Sequence, residues 1–110
     1  MPEIDTEALL KSMLAAAKGV LAKKWPKVKD YATSEFKKIG ESIRFIAQQV
    51  AAGKMGKEEA QLQLSIQQHA SRAALLAVEG LGLVAAEQAI NAALAAVKTT
   101  VNAALPFKLL

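Results

Sequence analysis

The sequence predicts an all-α protein, an up-and-down four-helix bundle, on three observations. Apolar residues recur at alternating steps of three and four along most of the chain, which is the spacing of a helix face packed on other helices. The second half is rich in alanine, which has the highest helix propensity. Turn signals interrupt the pattern at only three places. We therefore expect one domain, residues 1–110, with helices at about 5–24, 27–52, 57–79 and 82–105.

The first helix should begin after Asp5, which is a good N-cap residue. Trp25-Pro26 interrupts its pattern. Because proline disfavours helical geometry at the residue before it and has no N–H to donate, the chain should turn or kink there. The second helix should then start at about Lys27 or Asp30.

The second helix carries an apolar stripe in which Glu35 is the polar exception. The clearest turn signal in the chain follows at residues 52–56. Gly53 suits the left-handed position that ends a helix, and Glu58 and Glu59 suit the first turn of the next one. The stripe consists of Val28, Ala32, Glu35, Ile39, Ile43, Ile46 and Val50.

The C-terminal half carries a second stripe, which contains two ionisable residues, His69 and Glu87. Gly80 and Gly82 each cost roughly 1 kcal/mol inside a helix, yet the stripe passes through them in register. A tight turn between two helices and one kinked continuous helix both fit this pattern. The stripe consists of Leu62, Ile66, His69, Ala73, Leu76, Gly80, Leu83, Glu87, Ile90, Leu94, Val97, Val101 and Ala104.

The position of the glycines favours the turn. Counted from the Gly53–Gly56 turn, Pro26 and Gly80–Gly82 lie about equally far along the two arms of a helical hairpin. If the hairpin folds over at that level, the product is a compact bundle. The alternative is a long kinked helical hairpin, roughly 70 Å at 1.5 Å per residue, that dimerises into a bundle.

A metal site is one hypothesis for the polar residues in the stripes. Glu35, His69 and Glu87 all face inward by the stripe argument, and Glu79 is a possible extra ligand. These inward acids resemble those of the ferritin-like carboxylate bundles, and the resemblance implies a metal-binding bundle that holds two irons or two manganeses. The Glu-x-x-His motif is missing, because Ile66 precedes His69 by three residues. We expect no cofactor, with a di-iron or di-manganese site as the alternative.

The same residues also have a structural interpretation. Arg72, one turn after His69, could pair with Glu35 or Glu87. Polar groups within a helix stripe can fix register and oligomeric state. On this interpretation none of them binds a ligand.

Catalytic motifs are weak. His69 with Ser65 or Ser71 imitates part of a nucleophile–base pair, but no glycine elbow, oxyanion loop or orienting acid accompanies it. Gly80-Leu81-Gly82 follows no predicted strand and is not a phosphate loop. Cysteine is absent, so thiolate chemistry is excluded. We do not expect an enzyme.

A lysine cluster suggests a third function, binding to an anionic surface such as a lipid bilayer or a nucleic acid. The chain has a net charge of +4, and its basic residues crowd around Trp25 and the break at Pro26. The alternative, which involves no binding, is a solvated lysine face that keeps an apolar protein in solution. The cluster consists of Lys18, Lys23, Lys24, Lys27, Lys29, Lys37 and Lys38.

We expect a soluble protein, cytoplasmic or in another aqueous compartment. The most apolar segment, residues 73–97, contains Glu79 and Glu87, and each acid costs roughly 2.5–3.5 kcal/mol at the centre of a bilayer. The start of the chain is acidic where a secretory signal peptide would be basic.

Self-association is the function that the composition favours most. Small residues occupy more than one side of the third and fourth helices, and a helix that is apolar on several sides is usually buried on several sides. We therefore expect a homo-oligomer, most simply a two-fold dimer, with a structural or interaction role. The small residues are Ala73, Ala74, Ala77, Gly80, Ala85, Ala86, Ala89, Ala92, Ala93, Ala95 and Ala96.

Overall fold

The structure, a computed structural model, describes residues 3–110, and in this range the chain forms four α-helices and no strand. They are α1 (Thr6–Leu21), α2 (Trp25–Ala51), α3 (Lys57–Leu75) and α4 (Leu83–Ala103). Residues 1 and 2 of the expected domain lie outside the described residues. The four-helix bundle predicted from the sequence is confirmed.

Helix α1 packs against both α2 and α4, and α2 also packs against α3. The contact between α3 and α4, which closes the bundle, is the thinnest of the four. The molecule measures 43 × 22 × 18 Å, so the chain is a compact bundle and the 70 Å hairpin is wrong. Its core is aliphatic, and the largest side chains fully buried in it include Met13, Phe36, Ile39, Ile43 and Ile46.

The chain first reverses at Ala22, three residues before the expected break, which begins at Trp25. Ala22 has a positive φ of 49° with ψ −113° and begins a short 3-10 turn, Ala22–Lys24. Helix α2 starts at Trp25, so Pro26 lies in its first turn. The N–H groups of a first turn have no partner within the helix, so proline costs nothing there. The prediction that Trp25-Pro26 breaks the helix is therefore wrong.

The second reversal confirms the turn predicted at residues 52–56. Gly53 has φ 72°, its N–H donates to the carbonyl of Val50, and the N–H of Lys54 donates to the carbonyl of Gln49. This pair of bonds is the Schellman motif, which requires a left-handed residue. Gly56 then serves as the N-cap of α3.

The third reversal decides between a turn and a kink at the two glycines. Helix α3 ends at Leu75, four residues earlier than expected, and Gly80 has φ 83°. Gly82 has an extended backbone and is the N-cap of α4. The third and fourth helices are therefore separate.

The segment after α4 returns along the bundle and is held by Asn102. The side-chain Oδ1 of Asn102 accepts from the backbone N–H groups of Leu109 and Leu110, and its Nδ2 donates to the carbonyl of Leu110. Leu109 is buried. The apolar tail is thus docked on its own chain.

Candidate interaction surface

The side of helix α3 that the sequence pattern places inside the bundle is exposed to solvent. On α4 the predicted stripe is confirmed at Ile90, Leu94 and Val97, which are buried. It is wrong at Leu83 and Glu87, which are 50% and 45% exposed. On α3 it is wrong, because Leu62 and Ile66 are 60% and 58% exposed. We call the misassigned residues the outer face of α3. They are Leu62, Ile66, His69, Ala73 and Leu76.

The side of α3 that packs on the bundle is a different stripe, which we call the inner face. Successive residues of a helix are rotated by about 100°, which places the inner and outer faces on opposite sides of α3. Helix α3 is therefore apolar on two opposite sides. The inner face consists of Ala60, Leu64, Ser71 and Leu75.

A chain of polar side chains fixes the rotation of α3 on the edge next to α2. Ser42 on α2 donates to Oε1 of Gln67 over 3.5 Å. Nε2 of Gln67 donates to Oγ of Ser71 over 3.0 Å, and Ser71 is fully buried. Because a buried hydroxyl without a partner costs roughly 1–3 kcal/mol, this chain favours the orientation in which Ser71 faces inward.

An ion pair lies on the opposite edge of α3, where α4 begins its contact. Nη1 of Arg72 donates to Oε1 of Glu87 over 2.9 Å. The two side chains are 36% and 45% exposed, so the pair stabilises the fold by at most about 1 kcal/mol. A groove of about 290 Å³ surrounds them and is lined by His69, Gln68, Ile90 and Asn91 as well. This is one of the two pairings that the structural interpretation anticipated for Arg72.

The residues predicted as metal ligands occupy different environments. Glu35 is buried, as expected, and accepts from Nζ of Lys38 over 3.1 Å. Glu87 is bound to Arg72, His69 is exposed on the outer face, and Glu79 lies in the exposed turn between α3 and α4. Within residues 3–110 no three His, Asp or Glu side chains come together as a group that could hold a metal ion.

The predicted lysine cluster is exposed along its whole length. Lys23, Lys24 and Lys27 line a cavity of about 200 Å³ at the end of the bundle where the first and third reversals meet. The apolar walls of this cavity include Val28 and Leu81. We call this region the lysine end. Its geometry agrees with the expectation that Pro26 and Gly80–Gly82 lie level.

No protein-family model, curated protein or solved structure matches this chain. In the part of the chain that the structure describes, no helix combines the length and the apolar character needed to cross a membrane.

Some of the alanines expected to form a contact between subunits pack inside the bundle instead. Ala86, Ala89 and Ala93 on α4 are fully buried, and α1 and α4 form the most extensive helix contact of the bundle. Small side chains allow such close approach. The surface that sequence reasoning missed is the outer face, and the signal for it was the presence of two further leucines, Leu64 and Leu75, on the other side of α3.

Proposed function

We propose that this chain is a non-enzymatic, self-associating helical bundle with a structural or interaction role, and that it dimerises through the outer face of α3. The observation that supports this proposal is the opposition of two apolar faces on one helix. The bundle covers the inner face only. A helix that is apolar on two opposite sides is usually buried on both.

Covering the outer face removes exposed apolar side chains from water, which stabilises the dimer. Leu62, Ile66 and Leu76 are 60%, 58% and 41% exposed. Full burial of such a side chain stabilises by about 1.5–3 kcal/mol. Covering the exposed part therefore contributes about 1–2 kcal/mol for Leu62 and for Ile66, and about 0.5–1 kcal/mol for Leu76. Leu83 and Val84, 50% and 67% exposed at the start of α4, extend the apolar surface beyond the turn.

Charge also permits two copies to meet here. The chain as a whole is basic, with a net charge of +4, and two such molecules repel each other. The basic residues Lys57 and Arg72 of α3 are balanced by Glu58 and Glu59, so α3 carries no formal net charge. The excess positive charge of the chain is therefore not carried by α3, and it does not oppose contact between two outer faces.

The test is the substitution Ile66→Asp, which places a charge in the middle of the outer face. Sedimentation equilibrium of the unmodified chain from about 1 µM to 1 mM should show the mass rising from 11.6 kDa towards twice that value. Ile66→Asp should remain at the mass of the monomer over this range. Because Ile66 is exposed, the variant keeps its core and should unfold at a similar urea concentration.

Tyr31→Asp is the matched control. Tyr31 is 47% exposed and lies on α2, outside the outer face, so this variant should dimerise like the unmodified chain. A chain that stays monomeric at 1 mM, or an Ile66→Asp variant that dimerises as well as the control, contradicts the proposal.

A second candidate function rests on the lysine end. Three lysines and Glu79 line a largely apolar cavity, and the neighbouring Trp25 is half-buried. This combination suits an anionic lipid surface, to which each basic residue contributes about 1 kcal/mol. Replacing Lys23, Lys24 and Lys27 by glutamine should weaken partition onto acidic phospholipid vesicles roughly 100-fold.

The control for this second test replaces three exposed lysines away from the cavity, Lys11, Lys54 and Lys98. It should weaken partition much less. Binding to vesicles of neutral lipid that equals binding to acidic ones, or binding that is insensitive to salt, argues against this function.

A further inference from the structure

We infer that the bundle binds an anionic lipid bilayer end-on, with the side chains of Leu83 and Val84 inserted below the phospholipid head groups. The lysines of the lysine end then lie level with those head groups. The inference rests on the second candidate function and extends it, because it specifies the inserted side chains and the orientation of the bundle. It does not depend on dimerisation.

Exposed apolar side chains are concentrated at the lysine end. Eight large apolar side chains are exposed among residues 3–110, and four of them lie where a helix meets the first or the third reversal. At the opposite end, residues 52–56 and 104–110 contain no exposed large apolar side chain. The bundle therefore has one apolar end, which we call the apolar tip. It consists of Val20, Leu76, Leu83 and Val84.

The two residues that begin α4 are the most accessible part of the apolar tip. Leu83 and Val84 are 50% and 67% exposed, and Val84 is the most exposed large apolar side chain among residues 3–110. Nothing lies within 4 Å of the position that a Cβ would occupy at Gly80 or Gly82, so the turn before these residues is open to solvent. A flat surface can therefore reach this corner of the molecule.

Exposed lysines lie beside the apolar tip. Lys18 is in the last turn of α1, Lys23 and Lys24 are in the short 3-10 turn, and Lys27 is in the first turn of α2. None of these four lysines forms an ion pair with another described residue. Glu79 is the acid that lines the same cavity. Anionic head groups attract such lysines, and a long lysine side chain keeps its ammonium group at the polar level while its methylene groups cover apolar surface.

This combination favours a lipid bilayer over a nucleic acid. Single-stranded nucleic acids are bound through stacked aromatic side chains, and base pairs are read chiefly by arginine, asparagine and glutamine. The lining of the lysine-end cavity contains none of these residue types, and the apolar tip is aliphatic. Aliphatic side chains flanked by lysines suit the boundary between head groups and acyl chains, which they enter to a depth of about 5–10 Å.

The distribution of charge favours the end-on orientation. A bundle that lies on its side, with the outer face of α3 against the lipid, presents a helix without formal net charge. End-on contact covers the cross-section of the bundle, 22 × 18 Å. It includes both the apolar tip and the lysines, so insertion and charge attraction act at one contact.

The test is a double variant that combines Leu83→Ser with Val84→Ser. Partition of full-length chains onto acidic phospholipid vesicles is measured at about 1 µM, where the unmodified chain is a monomer. Without the two inserted side chains, partition should be weaker by at least about 10-fold. Because both positions are exposed, the variant should keep its core, which circular dichroism checks. Val84→Ser alone should weaken partition at least about 3-fold.

Three further variants test the orientation and the charge. Phe45→Ser is the matched control, because Phe45 is 51% exposed in α2, away from the lysine end, and its loss should leave partition unchanged. Ile66→Ser tests the side-on orientation and should also leave partition unchanged. Glu79→Gln removes the acid from the cavity lining and should strengthen partition onto acidic vesicles roughly 5-fold.

Trp25 reports the depth of insertion directly. It is the one tryptophan of the chain, and it is half-buried at the start of α2. Its fluorescence should be quenched by acidic vesicles whose acyl chains are brominated near the head groups. The quenching should be weaker in the double variant at equal amounts of bound protein, because that variant no longer inserts.

The outcomes separate failure of insertion from failure of lipid binding. Partition of the double variant that equals that of the unmodified chain overturns the end-on insertion and leaves lipid binding standing. A loss of partition in Ile66→Ser as large as that in Val84→Ser does the same. Absence of partition onto acidic vesicles refutes the second candidate function as well. Tighter binding to a DNA duplex than to acidic vesicles assigns the lysine end to nucleic acid and also overturns both.

Discussion

Replacing Ala22 by glycine should stabilise the protein, although glycine normally destabilises a helical chain. Ala22 has φ 49° and ψ −113°, a combination that glycine adopts readily and that other residues seldom adopt. A residue held in such a conformation costs about 1–3 kcal/mol. Glycine removes this strain but loses more backbone entropy on folding, at roughly 0.5–1 kcal/mol.

The net expectation for Ala22→Gly is a gain of up to about 2.5 kcal/mol in the free energy of unfolding. For a chain of this length that corresponds to a rise of up to roughly 10 °C in the midpoint of thermal unfolding. Circular dichroism during urea and thermal unfolding measures both quantities. Ala22 is not part of the outer face of α3, so dimerisation should be unchanged.

The matched control is Ala15→Gly, which makes the same chemical change at an exposed position in the middle of α1. There the backbone is helical and glycine costs about 1 kcal/mol. The two variants should therefore shift stability in opposite directions. A loss of stability in Ala22→Gly equal to that in Ala15→Gly refutes the reasoning, because it means that alanine bears no strain at this turn.

Two further substitutions test the inner face of α3 and the tail. Leu75→Ala should destabilise the fold by about 2–5 kcal/mol because Leu75 is fully buried. Leu76 is 41% exposed, so Leu76→Ala should cost less than about 1 kcal/mol of stability and should weaken the dimer instead. Urea unfolding and sedimentation separate the two effects, and equal losses of stability in the two variants contradict the assignment of faces. Asn102→Ala removes the three hydrogen bonds that hold the tail, each worth about 0.5–1.5 kcal/mol. In Asn102→Ala, hydrogen exchange at the amide of Leu109 should become markedly faster. The control Asn91→Ala, at an exposed position on the same helix, should leave this exchange rate unchanged. Equal exchange rates in the two variants argue against the tail being held by Asn102.

The turn at residues 52–56 and the start of α1 were predictable from the sequence because local chemistry specifies them. Gly53 supplies the left-handed residue that a Schellman motif needs. Asp5 accepts from the N–H groups of Glu7 and Ala8, as an N-cap residue does. Both signals act over a few residues, so no tertiary information was needed.

The first reversal was misplaced because proline has two opposite meanings in a helix. It breaks the interior of a helix and suits the first turn. Trp25-Pro26 was assigned the first meaning, and the structure shows the second. The residue that reverses the chain, Ala22, is an alanine and gives no turn signal in the sequence.

The orientation of α3 was predicted wrongly for a different reason. Periodicity shows that a helix has an apolar stripe but does not show which surface covers it. Helix α3 has two stripes, and the one with more large apolar residues, including Leu62 and Ile66, lies outside. The prediction that His69 faces inward followed from that stripe and is wrong for the same reason. Glu35, which lies on a helix with a single stripe, was placed correctly.

The buried hydroxyl of Ser71 has a consequence for the uniqueness of the fold. If hydrophobic content alone chose the rotation of α3, the helix could turn by half a revolution and bury Ile66 in place of Leu64. The bonds from Ser42 through Gln67 to Ser71 exist in one rotation only, so they lower the energy of that state relative to its rival. Ser71 thereby keeps the more apolar side of α3 exposed, where another molecule can contact it. The interior of the bundle is less apolar than in the alternative rotation, but the surface that α3 exposes is defined.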